Sequence, residues 1–203
     1  MMSCPINEIN VILASKSPRR RELLSHLAKE LGFEFGIVTE EVDEALEDSI
    51  PPIEGVRILA ERKGEAVASK DAYRASLVIS SDTLVELDGK PLGKPKDRNE
   101  AIEMLTSLSG RGHFVRTGIA VRIGDRLLSE TASTEVVFRE IPLSEIEKYV
   151  DSGEPMDKAG AYGIQGYAGN FVTEYRGEFD TVVGLSLSLT KKLILRLLEA
   201  END

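Results

Sequence analysis

A cluster of positive charges stands at the start of a predicted helix. Ser17 is a preferred N-cap residue and Pro18 a preferred first helical residue, so the sequence specifies a helix that begins here. Arg19, Arg20 and Arg21 then occupy the first turn, where the helix dipole disfavours each cation by roughly 0.3–1 kcal/mol. A phosphate bound at this turn would remove the conflict, because backbone amides, hydroxyls and guanidinium groups would converge on it. A solvated basic face is the alternative, above all for Arg21.

A carboxylate stands inside an apolar run. Asp82 lies in a predicted strand over residues 77–85 whose other side chains are mostly apolar. A carboxylate at the end of a buried strand needs hydrogen-bond donors, a cation or a metal, and open α/β sheets bind ligands at the carboxyl ends of their strands. Asp82 is therefore a candidate to bind Mg²⁺ or to accept a proton from a water that attacks phosphorus. The alternative is a turn aspartate with a serine partner.

Two lysines and a glycine-rich segment are weaker candidates. Lys94 is fixed between a glycine and a proline, and Lys63 lies on a predicted helix where a surface lysine is the alternative. The segment 157–169 has four closely spaced glycines, which let a backbone approach a ligand. Within it, Gln165 offers both a donor and an acceptor, which suits the edge of a flat base. A purely structural, turn-rich loop is the alternative. Neither His26 nor His113 is assigned a role.

The apolar periodicity predicts the elements that position these groups. Strands are predicted over residues 10–14, 33–38, 77–85, 114–123 and 127–138, with a strand pair near 171–183 and tight turns at Asp88-Gly89 and Gly124-Asp125. Helices are predicted from Pro18, over 53–72, over 97–109 with an Asp97 and Glu100 capping box, from a Ser144 and Glu147 cap to Gly153, and at the C-terminus, where Leu189, Leu193 and Leu197 share a face. Helices alternate with strands early and hairpins follow, so we expect an α/β fold around a mixed, twisted sheet.

Composition limits the function classes. The chain has 203 residues, of which 41% are hydrophobic, so we expect a single folded domain over residues 1–203. A formal net charge of -10 argues against broad binding of nucleic acid or of an anionic membrane. The single cysteine, Cys4, excludes an intramolecular disulfide and a zinc site built from several cysteines. With neither a signal-peptide pattern nor a membrane-length apolar run, we expect a cytoplasmic protein.

Taken together, these motifs resemble the Maf family of nucleotide pyrophosphatases. The segments that carry the resemblance cover almost the whole chain in order; they are Ser15-Lys-Ser-Pro-Arg-Arg20, Ser81-Asp-Thr83, Gly93-Lys-Pro95, Ser109-Gly110 with His113 and Thr117-Gly118, and Glu154 to Gly166. The resemblance implies a fold similar to the inosine triphosphatases, with two lobes around a cleft and often a homodimer. It also implies hydrolysis of a nucleoside triphosphate to the monophosphate and pyrophosphate, with Mg²⁺ or Mn²⁺ as the divalent metal.

The resemblance further implies roles for individual residues. Asp82 looks like the family's catalytic acidic residue, and Glu44 resembles a further acidic residue that would help Asp82 hold the metal. The set that resembles the phosphate contacts is Ser15, Arg19, Arg20, Lys63 and Lys94. Arg19, Thr83 and Gln165 resemble the branch that acts on dTTP and UTP.

Two other functions stay open at this point. One is hydrolysis of 7-methyl-GTP or of other modified nucleotides, and the other is a nucleotide-binding regulator of cell division and septation. An intact Asp82 favours the enzyme, because a pure sensor does not need the carboxylate. The sequence departs from the usual pattern at Gly64, where alanine is common, and at Ser186, where proline is common. Gly64 would cost its helix about 0.8–1 kcal/mol relative to alanine, so it predicts lower stability rather than lower activity.

Overall fold

The computed structural model describes residues 6–47 and 49–199, so Cys4 lies outside the described residues. The strands are β1 (Val11–Leu13), β2 (Phe35–Ile37), β3 (Leu77–Leu87), β4 (Lys90–Leu92), β5 (Gly112–Ile123), β6 (Arg126–Phe138) and β7 (Val172–Arg176). The helices are α1 (Pro18–Leu31), α2 (Pro52–Ala68), α3 (Arg98–Leu108), α4 (Leu143–Asp151), α5 (Phe179–Val183) and α6 (Leu187–Glu199). No helix in the described part of the chain is long and apolar enough to cross a membrane.

The strands form one seven-stranded sheet in the order β2-β1-β3-β5-β6-β7, with β4 paired to β3. Strand β1 runs parallel to both neighbours, with Leu13 opposite Ile37 on one side and Ile79 on the other. Strand β4 is antiparallel to β3, and β7 is antiparallel to β6. The predicted α/β fold with a mixed sheet and flanking helices is therefore confirmed.

The chain divides into two compact units, and β3, β5 and β6 each contribute residues to both. The first unit contains the chain up to Asp82, Thr117–Ala132 and the chain from Gly184 onward. Alternate residues of β1 face opposite sides of the sheet, as the two-residue period of a strand requires. Leu13 packs with α1 and α6 through Leu24 and Leu193, while Ile12 packs with α2 through Val67. In this unit, helices cover both faces of the parallel strands.

The second unit contains Thr83–Arg116 and Ser133–Val183. Its core joins α3 and α4 to an aromatic cluster in which Phe138 packs edge-on against Tyr162 and Phe171. The ring centroids of Phe138 and Tyr162 are 4.8 Å apart, within the range that favours edge-to-face pairs. This core supports the glycine-rich segment.

Most predicted helix ends are confirmed. The side chain of Ser17 accepts a hydrogen bond from the backbone amide of Arg20, and Gly32 ends α1 in the left-handed region at φ 75°. The Asp97 side chain accepts from the Glu100 amide at the start of α3. The predicted helix over residues 53–72 ends earlier, at Ala68, and a short 3₁₀ turn follows at Asp71–Tyr73.

Two local predictions are wrong. Helix α4 begins at Leu143 without a side-chain cap, since Pro142 occupies the cap position and Ser144 already lies in the first turn. The strand pair near residues 171–183 is a single strand, β7, because its hydrogen-bond partner is the distant β6. Gly177 follows that strand with φ 132°, and the next residues form the short helix α5.

Candidate active site

The turn after β1 is shaped by two serines. Ser15 is buried, and its hydroxyl oxygen accepts a hydrogen bond of 3.2 Å from the amide of Ser17. Ser17 then caps α1, so the helix begins directly beyond the carboxyl end of β1. Because β1 and β3 are parallel and Leu13 lies opposite Ile79, this turn stands beside Ser81 and Asp82. The local rules for helix capping thus place an N-terminus next to Asp82. This residue does not end its strand as predicted, since β3 continues to Leu87, but it lies just beyond the part of β3 that pairs with β1.

Arg20 is held by backbone carbonyl groups. Its Nε donates to the carbonyl oxygen of Gly184 at 3.0 Å, and its Nη1 donates to that of Ser81 at 2.9 Å. The Ser81 hydroxyl also donates to the Gly184 carbonyl, at 3.0 Å. Burial lowers the pKa of Arg20 below its ordinary value, and the negative charge of Asp82 acts in the opposite direction. Arg20 therefore ties α1 to β3, in addition to any role with phosphate.

Asp82 is paired with Lys63 of helix α2. The Nζ of Lys63 lies 2.5 Å from Oδ1 of Asp82 and 2.7 Å from Oε1 of Glu44, so one ammonium group bridges two carboxylates. The side chains of Asp82 and Lys63 are 14% and 20% exposed, whereas that of Glu44 is 59% exposed. Partial desolvation strengthens the inner pair, while the outer pair is closer to water. The alternative of a surface lysine at position 63 is thereby excluded.

A close approach of α2 to the sheet places Lys63 there. At Gly118 of β5 a side-chain carbon would lie 2.2 Å from the carbonyl oxygen of Val56, so only glycine fits. The buried hydroxyl of Ser80 donates to the carbonyl of Ala60 at 2.7 Å. Gly64 faces the same serine, and a methyl group there would lie 2.7 Å from its Oγ. The glycine that helix propensity penalises is thus required by packing, which corrects the predicted loss of stability at Gly64.

Glu44 lies in the segment between β2 and α2, and neighbouring residues fix this segment. Arg62 donates from Nη1 to the carbonyl oxygens of Asp43 and Ala45, at 3.0 and 2.7 Å. The amide of Ala45 also bonds to Oδ1 of Asp43 at 2.9 Å, which closes a local Asx turn. Arg62 therefore fastens both neighbours of Glu44 to the helix that carries Lys63. Arg62 is not among the predicted site residues, and the only sign of it in the sequence is a second cation next to Lys63.

The donor set fits a divalent cation. Asp82 and Glu44 already share one cation, the Lys63 ammonium, and carboxylate oxygens are the ligands that a hard divalent cation prefers. Magnesium commonly takes one or two protein carboxylates and completes its shell with water and substrate phosphates. Across residues 6–47 and 49–199 there is no group of three or more histidine, cysteine, aspartate or glutamate side chains that would hold a metal. The two carboxylates suit a metal that shares its ligands with a phosphate.

Three predicted site residues belong to the second unit. Thr83 is half-buried on β3, whereas Lys94 and Gln165 are exposed. The amide of Gly160 donates to the carbonyl of Gly93 at 3.0 Å, so the segment that carries Lys94 is joined to the glycine-rich segment.

Glu154 holds the part of the glycine-rich segment that carries Gln165. Its carboxylate accepts from the Tyr149 hydroxyl at 3.0 Å and from the Tyr167 amide at 3.4 Å. A side-chain carbon at Gly166 would lie only 1.9 Å from Oε1 of Glu154. Glycine at this position therefore allows the backbone to close over the carboxylate. Glu154 is part of the motif that carries the family resemblance, but no role is predicted for it.

His113 is a buried residue to which sequence reasoning gave no role. Its Nε2 lies 2.8 Å from the Tyr162 hydroxyl, and burial lowers the pKa of His113 to about 4. The neutral imidazole at neutral pH can accept from Tyr162, whose own pKa is raised by burial. The alternation of buried His113, Val115 and Thr117 along β5 was the available signal.

The structure thus brings five predicted residues together in the first unit: Ser15, Arg20, Lys63, Asp82 and Glu44. Arg19 is exposed on the first turn of α1 in the same unit. Sequence reasoning missed Arg62 and gave no role to Gly184, whose contribution is a backbone carbonyl and carries no side-chain signal.

Comparison with known proteins extends this geometry. The model of a family described as "Maf-like protein" matches residues 10–197. A dTTP/UTP pyrophosphatase of Desulforamulus reducens is 49% identical over 181 residues, covering 88% of this chain and 91% of that protein. A dTTP/UTP pyrophosphatase of Shewanella denitrificans is 44% identical over 193 residues, covering 94% and 98% of the two chains.

Among solved structures, a nucleoside-triphosphatase/dITP/XTP pyrophosphatase of Mycobacterium abscessus aligns with 95% of this chain and 96% of its own. Its TM-score is 0.47 and its sequence identity 14%. Similarity this low does not establish a shared fold, so the predicted similarity to the inosine triphosphatases stays a prediction.

Proposed function

The chain belongs to the Maf family, and from that membership we propose that it hydrolyses dTTP and UTP to the nucleoside monophosphate and pyrophosphate. The observation that carries the proposal is the Asp82–Lys63–Glu44 arrangement beside the capped N-terminus of α1. It combines a carboxylate that can accept a proton with cations and helix amides that can bind phosphate.

Positioning and charge account for most of the proposed catalysis. Asp82 orients the attacking water and accepts its proton, because its carboxylate lies on β3 beside the N-terminus of α1. Ser15, Arg19 and Lys63 supply donors and positive charge for the phosphates, and Arg20 fixes the turn from which they act. Attack at the α-phosphorus releases pyrophosphate.

The cofactor in this proposal is Mg²⁺ or Mn²⁺. Asp82 and Glu44 are the residues that would hold it, since both already share one cation. When bound, such an ion neutralises the charge that develops on the phosphate oxygens.

The test is pyrophosphate release from a panel of nucleotides by the wild-type protein and by Asp82→Asn. We expect dTTP and UTP to have higher kcat/KM than the purine triphosphates or 7-methyl-GTP. Asp82→Asn should lower turnover by at least about a hundredfold, the usual scale for a general base. It should keep nucleotide affinity in calorimetry, because Lys63 and the arginines remain.

Each alternative function has its own outcome in this test. A wild-type protein that prefers 7-methyl-GTP or another modified nucleotide would replace the pyrimidine assignment. A protein that binds nucleotide tightly but never releases pyrophosphate would be the regulator of cell division. Near-normal turnover by folded Asp82→Asn would overturn the mechanism.

We also propose four broader properties: a cytoplasmic location, a homodimer, a single domain over residues 1–203, and no nucleic-acid or membrane partner. The acidic net charge of -10 supports the last of them, since a surface of that sign repels polyanions. Light scattering of the purified chain tests the dimer.

A further inference from the structure

The Lys63 ammonium group contacts both carboxylates that would hold the metal. Its Nζ lies 2.5 Å from Asp82 and 2.7 Å from Glu44, so it bonds to one oxygen of each. An ammonium group is a compact point charge with three donors, and it neutralises one of the two negative charges. Lys63 and a divalent ion cannot both lie between these oxygens.

Phosphate offers Lys63 a second partner. The lysine side chain is flexible and 20% exposed, so its ammonium group can turn from the carboxylates toward an anion at the neighbouring helix N-terminus. Glu44, at 59% exposed, is the carboxylate that loses least by giving up its lysine, because water can solvate it. A triphosphate would therefore draw the lysine away while it supplies phosphate oxygens to a metal.

We propose that Lys63 keeps the metal position closed in the nucleotide-free protein and opens it by moving its ammonium group onto the phosphates of the incoming nucleotide. Metal and nucleotide then enter together, and the protein alone binds the divalent ion weakly. This inference rests on the proposed function for the identity of the anion. A lysine that only braces Asp82 structurally would have no such effect on metal binding.

The test measures binding of Mn²⁺ alone to the full chain without nucleotide, by electron paramagnetic resonance of the free ion. Lys63→Met removes the charge but keeps an unbranched chain, so Mn²⁺ affinity should rise at least about tenfold over the wild type. Lys63→Gln, which keeps an amide donor for Asp82, should raise the affinity in the same direction and serves if Lys63→Met does not fold.

Lys70→Met is the matched control. Lys70 also forms an ion pair, with Glu40 in place of the two carboxylates that Lys63 contacts, and its loss changes the net charge equally. It follows Lys63 by seven residues and lies beyond the end of α2 at Ala68, so we expect salt to screen most of its effect on the site. Its Mn²⁺ affinity should stay within about threefold of the wild type.

The double variant Lys63→Met with Glu44→Gln should lose most of the gain, because one of the two carboxylates that would hold the ion is gone. The proposal is overturned if folded Lys63→Met and Lys63→Gln bind Mn²⁺ no more tightly than the wild type. It is also overturned if Lys70→Met gains as much, or if the gain survives Glu44→Gln unchanged. Since no nucleotide is present, this failure is distinguishable from an absence of pyrophosphate release by the wild type.

Discussion

At the residue scale, Arg19 and Arg20 are neighbours in sequence whose side chains lie in different surroundings. Arg19 is exposed on the first turn of α1, whereas Arg20 donates to the carbonyl groups of Gly184 and Ser81. A pair of substitutions therefore separates ligand binding from stability. Both residues are arginines in the same turn of α1, so each substitution is the control for the other.

We predict that Arg20→Ala lowers the free energy of unfolding by about 1–3 kcal/mol, because two buried carbonyl groups lose a charged donor. Arg19→Ala should stay within about 0.5 kcal/mol of the wild type, as exposed substitutions usually do. Both should weaken binding of a non-hydrolysable triphosphate. Urea unfolding and calorimetric titration measure the two effects, and equal stability of the two variants would contradict the role of Arg20.

Gln165 is a second single residue with a testable role, because its side-chain amide is expected to distinguish pyrimidine from purine bases. We predict that Gln165→Ala narrows the preference for dTTP and UTP over purine triphosphates, because a lost hydrogen bond to a base costs about 1–3 kcal/mol. The ratio of kcat/KM values across the panel is the measurement. Turnover of the poorest substrate should change least. A preference that survives unchanged would remove Gln165 from the site.

At the element scale, the packing of α2 on the sheet determines where Lys63 lies. Gly118 allows the helix backbone to approach β5, and the Ser80 hydroxyl joins β3 to the carbonyl of Ala60. Gly64 leaves room for that hydroxyl. Helix propensity predicts that alanine at position 64 would stabilise the protein, whereas packing predicts that it would destabilise it. Because the added methyl group would lie so close to Ser80 Oγ, we expect the packing effect to be the larger.

We predict that Gly64→Ala destabilises the protein by about 1–3 kcal/mol, the usual cost of overpacking, although alanine is the better helix former. Ser80→Ala removes the oxygen that would clash with the new methyl group. The double variant Gly64→Ala with Ser80→Ala should therefore be more stable than expected from adding the stability changes of the two single variants. A coupling of about 1 kcal/mol or more is expected between such neighbours. Thermal unfolding of the four proteins measures it, and strict additivity would contradict the contact.

At the scale of the whole molecule, folding stability should depend on pH through the buried His113. Its pKa is lowered to about 4 by burial, against 6.5 for the free group. The unfolded chain therefore binds a proton that the folded chain does not between these pH values. The contribution of neutral His113 to the free energy of unfolding is therefore fully present above pH 6.5 and is lost as the pH falls toward 4.

We predict that the wild type loses roughly 2–3 kcal/mol more than His113→Gln between pH 7.5 and 4.5. Glutamine keeps an acceptor for the Tyr162 hydroxyl and does not titrate. The carboxylates of the chain titrate in both proteins, so the difference between the two unfolding curves isolates the histidine. Parallel pH profiles would show that His113 is accessible to protons in the folded protein.

Features that depend only on neighbouring residues could be predicted from the sequence. Ser17 and Pro18 define the start of α1, and Asp97 defines that of α3, because a cap uses only the next few backbone amides. Asp88 and Gly89 both have positive φ, 52° and 76°, as the predicted tight turn between strands requires. The apolar face of α6 also follows from its period alone.

Contacts between residues far apart in the chain could not be predicted from the sequence and are seen only in the folded protein. Lys63 and Asp82 are 19 positions apart, and nothing local distinguishes this lysine from one on the surface. The carbonyl of Gly184, 164 positions from Arg20, has no side-chain signature at all. Capping and periodicity depend on short-range geometry within the chain, whereas the place of Lys63 depends on how closely Gly118 and Gly64 let α2 approach the sheet.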